Sequence, residues 1–139
     1  MQKSAFYISE VVFGDQGYVV VTNGSDSEAD IAGLSLCQFP EYPEIPGGLV
    51  ASGESVRVAA SELGGLDNQS GEVGLYLRPD WSDPDAIAGY VQWGTTGHKR
   101  EEPAVAAGVW AADSFVDAQN STRMTASGSA VAAGDWIVA

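Results

Sequence analysis

Basic residues, histidine and cysteine are all scarce in this sequence, and each scarcity excludes a class of function. Six Lys and Arg stand against 19 Asp and Glu, so the formal net charge is -13. Such a surface repels nucleic acid and anionic membranes. The single cysteine, Cys37, excludes an intramolecular disulfide, and the single histidine, His98, excludes a His-pair metal site. We therefore expect no nucleic-acid partner, and we expect that the chain is not an enzyme.

Long apolar runs are absent as well. No run approaches the roughly 20 residues that span a bilayer, and residues 1–4 (MQKS) lead directly into a predicted strand without an apolar leader. The sequence therefore predicts no membrane insertion. The acids are scattered along the chain, which is typical of a solvated coat on a folded body. Two interpretations of this coat stay open, adaptation to high salt (favoured by only two lysines) and the solubility coat of a secreted protein.

What the sequence does have is an apolar period of two, which predicts β-strands. Its length of 139 residues fits a single domain, residues 1–139. The first two strands are predicted to form a hairpin around residues 14–17 (GDQG), and imperfect alternation in the first predicts a bulge. We predict an all-β sandwich of about seven to nine short strands, seven of them placed at residues 6–13, 18–22, 30–38, 55–58, 72–78, 87–93 and 135–138.

Two stretches break this pattern. Residues 39–48 (FPEYPEIPGG) contain three prolines, so they form a connection between sheets or an edge. Residues 101–103 (EEP) are typical of a helix start, and they predict one short helix or a capping loop around residues 103–116.

Several motifs, taken in chain order, resemble the lamin-tail-domain family. Residues 18–23 (YVVVTN) are similar to its YVELYN-type second strand, and residues 30–36 (DIAGLSL) to its DLSGWTL segment. Residues 49–56 resemble the turn before a valine-rich strand, residues 85–94 the VDAVSYG strand, and residues 121–136 the closing pattern with Arg123, Gly128 and Trp136. The resemblance implies an immunoglobulin-like sandwich, a structural or docking role without catalysis, and an extracellular or cell-surface location. Residues 39–48 and 95–118 depart from the family pattern.

Candidate binding residues are aromatic or basic. Trp93 and Trp136 are expected in the core, because tryptophan is highly buried on average. The same alternation places Tyr76 and Tyr90 on outward faces, with Glu72 opposite the core. Lys99 and Arg100 next to Glu101 and Glu102 indicate an ion-pair set, and His98 a solvated loop residue, although His98 and Arg100 remain binding candidates. The five candidates for binding are Trp81, Trp110, Tyr42, His98 and Arg100.

The sequence predicts no cofactor, and calcium is the one alternative that stays open. Asp80, Asp83 and Asp85 cluster in one predicted turn and could supply three or four of the six to eight oxygens that Ca²⁺ takes. A plain turn with Asp caps is the competing interpretation. Cys37 is interpreted as a small structural residue, since no base lies near it in the sequence.

These observations rank three functions. The first is a non-catalytic structural or protein-docking module, which predicts an exposed apolar patch around Trp110 and residues 103–116 or an unprotected sheet edge. The alternative is a carbohydrate- or calcium-dependent surface-binding module, with exposed tryptophans or an ion at residues 80–85. An enzyme ranks last, because the sequence offers no set of catalytic groups.

Overall fold

The chain folds into an all-β, sandwich-like structure, as the sequence predicts. The computed structural model describes residues 4–139; residues 1–3, where the sequence predicts no leader, lie outside the described residues. Within residues 4–139 there are ten strands in three antiparallel sheets and one short helix, α1 (Glu101–Ala106). The strands are β1 (Phe6–Val12), β2 (Tyr18–Asn23), β3 (Ala29–Asp30), β4 (Ser35–Cys37), β5 (Leu49–Val50), β6 (Ser55–Ala59), β7 (Gly71–Tyr76), β8 (Ile87–Trp93), β9 (Arg123–Thr125) and β10 (Ile137–Val138).

Two sheets supply the core. One has the order β10-β9-β1-β2-β6 and the other β4-β7-β8, while β3 and β5 form a separate pair. The buried side chains of both larger sheets belong to one hydrophobic cluster, which includes Val11 and Val19 from one sheet and Leu36, Leu75 and Val91 from the other. Trp93 and Trp136 are buried in the same cluster, as predicted.

The first hairpin confirms the expected bulge. β1 and β2 pair antiparallel, and the register shifts between Ile8 and Glu10. The extra residue, Ser9, places its hydroxyl 2.7 Å from that of Thr22 on β2. The bulge therefore keeps Ile8 and Val11 both buried although they are three residues apart.

Other boundaries differ from the sequence prediction. The strand expected at residues 30–38 is divided into β3 and β4, because a turn with Gly33 at φ 88° separates them. The helix ends at Ala106, and Gly108 follows with φ 76°, a left-handed conformation that commonly terminates helices. The short strands at 49–50 and 123–125 are absent from the sequence prediction, since segments of two or three residues carry too little alternation to be recognised.

The second face of β7 and β8 is buried, which corrects the outward placement of several polar residues. Every residue of β7 is buried, including Glu72 and Tyr76, and Tyr90 of β8 is only 2% exposed. Val73 and Leu75 face the main core, whereas the alternate positions form an outer face of this sheet. Gly74 lies on that outer face, and its lack of a side chain leaves room for the Tyr76 ring, which a Cβ would approach to 2.8 Å.

Candidate functional site

The outer face of the β4-β7-β8 sheet is covered by residues from 39–48 and 95–118, the two stretches that the strand period does not explain. Residues 38–45 follow β4 and fold back on it, with one bridge from Ser35 of β4 to Glu44 and a second, within the segment, from Gln38 to Glu41. On the other side, Val116 forms a parallel bridge to Trp93, and α1 packs against β8. These two coverings turn a solvent-facing sheet surface into a second, polar core.

Arg100 lies in this polar core and is 6% exposed. Its Nη2 donates to the Tyr42 hydroxyl at 2.7 Å, and its Nη1 to the Ser82 hydroxyl at 3.3 Å. Its Nε is buried and has no hydrogen-bond partner within the described residues. The expected ion pairing with Glu101 and Glu102 is wrong, since the ion pairs found across residues 4–139 involve other residues, namely Arg78 with Asp83 and Arg123 with Glu10.

Aromatic rings surround this guanidinium. It lies 5.5 Å from the Phe39 ring centroid and 5.7 Å from that of Tyr42. The Tyr42 ring stacks on Trp81 with centroids 4.4 Å apart, and Trp81 meets the edge of Tyr76 at 5.0 Å. The structure thus brings together three of the predicted binding residues, Tyr42, Trp81 and Arg100. We use the name Arg100 cluster for these three residues and their neighbours Phe39, Ser82 and Lys99.

A hydrogen-bond network lies beneath the Arg100 cluster. The Tyr90 hydroxyl donates to Glu72 Oε1 at 2.8 Å, and the same oxygen accepts the backbone N–H of Arg100 at 2.9 Å. The Tyr90 hydroxyl is also 3.2 Å from Gln92 Oε1. Burial, followed by the charge of Glu72, raises the pKa of Tyr90 well above its ordinary value, so the hydroxyl remains a donor.

Trp110 belongs to this network and not to the surface, which corrects its assignment as an exposed binding residue. It is 2% exposed, its ring meets that of Tyr90 edge-on at 5.8 Å, and its Nε1 donates to the carbonyl of Ser114 at 2.8 Å. The Trp110 ring is buried because its segment lies against the outer face of the sheet. The alternation of the sequence could not show that this face is covered.

Cys37 also lies on the outer face and is buried. Burial raises the pKa of its thiol to about 11, although Arg100 acts in the opposite direction. The thiol is therefore protonated near neutral pH, as expected of a structural residue. Burial lowers the pKa of Arg100, but the hydrogen bond to Tyr42 and the proximity of Cys37 raise it, and the net shift is upward.

His98, the remaining binding candidate, lies beside the Arg100 cluster. Its Nε2 is 3.3 Å from the Ser70 hydroxyl and 3.4 Å from the carbonyl oxygen of Trp93. The partly buried imidazole therefore joins the loop after β8 to Ser70, the residue before β7.

The three aspartates proposed for calcium are not arranged as a ligand set. Asp83 Oδ2 accepts from Arg78 Nη2 at 2.7 Å, and its Oδ1 accepts the backbone N–H of Asp85 at 2.9 Å. That backbone bond and the neighbouring Arg78 lower the pKa of Asp83. Throughout residues 4–139, no group of three His, Cys, Asp or Glu residues is placed to hold a metal ion. The observed geometry is that of a turn capped by Asp83.

A second candidate region opens at the edge of the sandwich. A cavity of about 250 Å³, which we call the edge cleft, lies between β1 and β8 and is closed by residues 108–109, residues 129–131 and Trp136. The Trp136 Nε1 is buried and lacks a hydrogen-bond partner within the described part of the chain. Val131, at the rim, is 48% exposed.

Phe39 and Ser82 were not singled out by the sequence as members of a site. Both lie in loops without any period, and they join Arg100 only through tertiary contacts. For Phe39 the one available signal was negative, namely that residues 39–48 do not fit the strand pattern, and Ser82 had no such signal.

No helix in residues 4–139 is long and apolar enough to cross a membrane. No family model matches the chain, and neither a curated protein nor a solved structure is significantly similar to it.

Proposed function

We propose that this chain is a non-catalytic protein-docking module, built on an immunoglobulin-like sandwich of the lamin-tail type. The family part of the proposal is supported by the motifs that occur in order from residue 18 to residue 136. The docking part rests on one observation, the edge cleft at the border of the β4-β7-β8 sheet.

The edge cleft has the size and lining for a partner's side chain. Its volume of about 250 Å³ is below the roughly 300–1,000 Å³ of small-molecule sites. Among residues 4–139, its lining contains no Asp, Glu, His, Lys or Arg, so these residues offer it no carboxylate, imidazole or amine for acid–base catalysis. Ile8, Val109, Val131 and Trp136 give it an apolar character, which favours an apolar anchor residue of another protein.

The adjoining strand adds a second reason for a protein partner. β8 is an outer strand of its sheet. The only backbone hydrogen bonds from residues 101–118 to this edge are those that Val116 makes with Gln92 and with Gly94, just after the strand. The part of β8 nearer Ala88 and Gly89 borders the edge cleft instead. A strand edge that has no backbone partner within residues 4–139 and lies beside an apolar cavity is suited to an extended segment of a partner.

The test is capture of a partner by the purified chain, with Val131→Asp as the variant. Val131 is half-exposed, so a carboxylate there leaves the core intact while placing a charge at the rim. The matched control is Leu49→Asp, since Leu49 is an apolar residue 69% exposed on β5 and outside the cleft lining. We expect the same protein to be retained from an extract of the source cells by wild type and by Leu49→Asp, and to be lost with Val131→Asp. Equal retention by all three proteins would contradict docking through the cleft.

The partly exposed ring of Trp81, which Tyr42 holds in place by stacking on one face, favours a carbohydrate-binding module as the second candidate, since an aromatic face can hold a sugar ring. A glycan array read with wild type and Trp81→Ala tests it, because specific binding should depend on Trp81. Thermal melts with and without calcium test the ion-dependent form. Binding of Ca²⁺ to the native state would raise the Tm by mass action, and an unchanged Tm would agree with the pairing of Asp83 to Arg78.

A further inference from the structure

Arg100 is a buried cation for which the described chain supplies no counter-ion. In a protein of formal net charge -13, no carboxylate of residues 4–139 lies within ion-pair distance of its guanidinium. Burying an unpaired charge is costly, and buried charges are normally paired. The missing partner is therefore a feature to be explained.

Two nearby acids, Glu72 and Glu101, accept hydrogen bonds from other groups. Glu72 Oε1 accepts from the Tyr90 hydroxyl and from the backbone N–H of Arg100, not from the guanidinium. Glu101 Oε1 accepts the backbone N–H of Gly97 at 2.6 Å, and its Oε2 that of Asp113 at 3.1 Å. These bonds hold both carboxylates in the structure of the loop and the sheet.

The guanidinium also has donor capacity left. Of its five N–H groups, one donates to the Tyr42 hydroxyl and one makes a long bond of 3.3 Å to that of Ser82, while the Cys37 thiol lies close to the same guanidinium. Nε makes no hydrogen bond within the described chain. A planar fork of this kind matches the two oxygens of a carboxylate.

The surroundings form an open groove. Ser82, Pro84 and residues 97–103 line a cavity of about 920 Å³ next to Arg100. Lys99 is exposed, with its Nζ 5.2 Å from the ring centroid of Phe39, and Phe39 is itself 48% exposed. A ligand in the groove would meet Lys99 and Arg100. The Phe39 ring lies next to these two cations but does not line the groove.

We propose that Arg100 binds a single carboxylate group of a ligand that lies in this groove, and that Ser82 and Lys99 make secondary contacts with the same ligand. The charge of the groove selects a monoanion. Glu101, Glu102 and Asp113 line it together with the cations, so a phosphate dianion meets more repulsion than a carboxylate does. The groove shares no lining residue with the edge cleft, so a carboxylate site in the groove does not depend on protein docking at the cleft.

The test is a titration followed at the Arg100 Nε–H resonance of the isotope-labelled protein by NMR. The probe is N-acetylglutamate amide, and the matched neutral probe is N-acetylglutamine amide. We expect a saturable shift with the first and an affinity at least about tenfold weaker with the second, because the lost charge costs an interaction of that order. Equal shifts with both probes, or no saturable shift with either, overturn the proposal.

Variants separate the site from the fold. Lys99→Gln removes an exposed cation, so the affinity for N-acetylglutamate amide should fall several-fold, since one of two positive charges is lost. Ser82→Ala should weaken it less, and Val131→Asp in the edge cleft should leave it unchanged. Unaltered affinity in Lys99→Gln together with loss in Val131→Asp would place the binding elsewhere and overturn the assignment.

Two further probes define the source of the carboxylate. If glucuronate binds more tightly than N-acetylglutamate amide, the carboxylate site is supported and its ligand is an acidic sugar. If N-acetylglutamate amide binds more tightly, the site is supported and its ligand is an acidic peptide side chain. Inorganic phosphate binding as tightly as either carboxylate overturns the selectivity for a monoanion.

Discussion

Removing the Tyr90 hydroxyl should destabilise the protein by about 2 kcal/mol. In Tyr90→Phe, Glu72 Oε1 loses a donor at 2.8 Å and keeps only the backbone N–H of Arg100, while Gln92 Oε1 loses a contact at 3.2 Å. Glu72 is 3% exposed and Gln92 is fully buried, so water cannot replace the donor freely. A hydrogen bond to a charged group contributes about 1.5–3 kcal/mol, and most of it is lost when the acceptor stays buried.

The assay is urea unfolding followed by tryptophan fluorescence. Tyr7→Phe is the matched control, because Tyr7 lies on β1 and makes no side-chain hydrogen bond within the described chain; its free energy of unfolding should change by less than about 0.5 kcal/mol. A second check is the double variant with Glu72→Gln, in which the cost of Tyr90→Phe should fall because the charged acceptor is gone. A loss below about 0.5 kcal/mol for Tyr90→Phe would refute the view that the outer face of the sheet is a closed polar core.

Two other predictions concern the same sheet. Because burial raises the pKa of Cys37 to about 11, alkylation of the native protein by iodoacetamide should stay slow near neutral pH and increase only as the pH approaches that value. In urea the rate should rise at lower pH, near 9.0, the ordinary pKa of a cysteine thiol, and equal profiles in both states would show that the thiol is accessible. Gly71→Ala should cost about 1–3 kcal/mol by overpacking, because its Cβ would lie 2.4 Å from the buried Trp93 ring, whereas Gly128→Ala, with nothing within 4 Å, should be nearly neutral in the same unfolding assay. A neutral Gly71→Ala would contradict the register of β7 with β8.

The strand elements were predictable because their information is local. Alternation located β1, β2, β6, β7 and β8 to within a few residues, and the broken alternation around Ser9 predicted the bulge that the register confirms. The size and polarity of single side chains were enough to place Trp93 and Trp136 in the core. The short strands at 49–50 and 123–125 escaped prediction, because two or three residues cannot express a period.

The candidate site was predictable only in part. Tyr42, Trp81 and Arg100 were named as binding residues for their side-chain chemistry, and the fold brings them together. Trp110 was placed on the surface and Arg100 in an ion pair, and both were wrong for the same reason. Each lies in the covering stretches, where no period shows what a side chain will face.

The sequence by itself determined where the longer strands lie, where the first hairpin turns and which side of those strands faces the main core. Only the tertiary structure decided that the opposite side of β7 and β8 is covered as well, so that Glu72, Tyr90 and Arg100 are buried. The physical reason is that alternation distinguishes the two faces of a strand but says nothing of a third layer, which depends on where loops such as residues 39–48 and 95–118 return in space. The guanidinium of Arg100 is buried without a carboxylate partner in residues 4–139 because these loops fold back over the sheet.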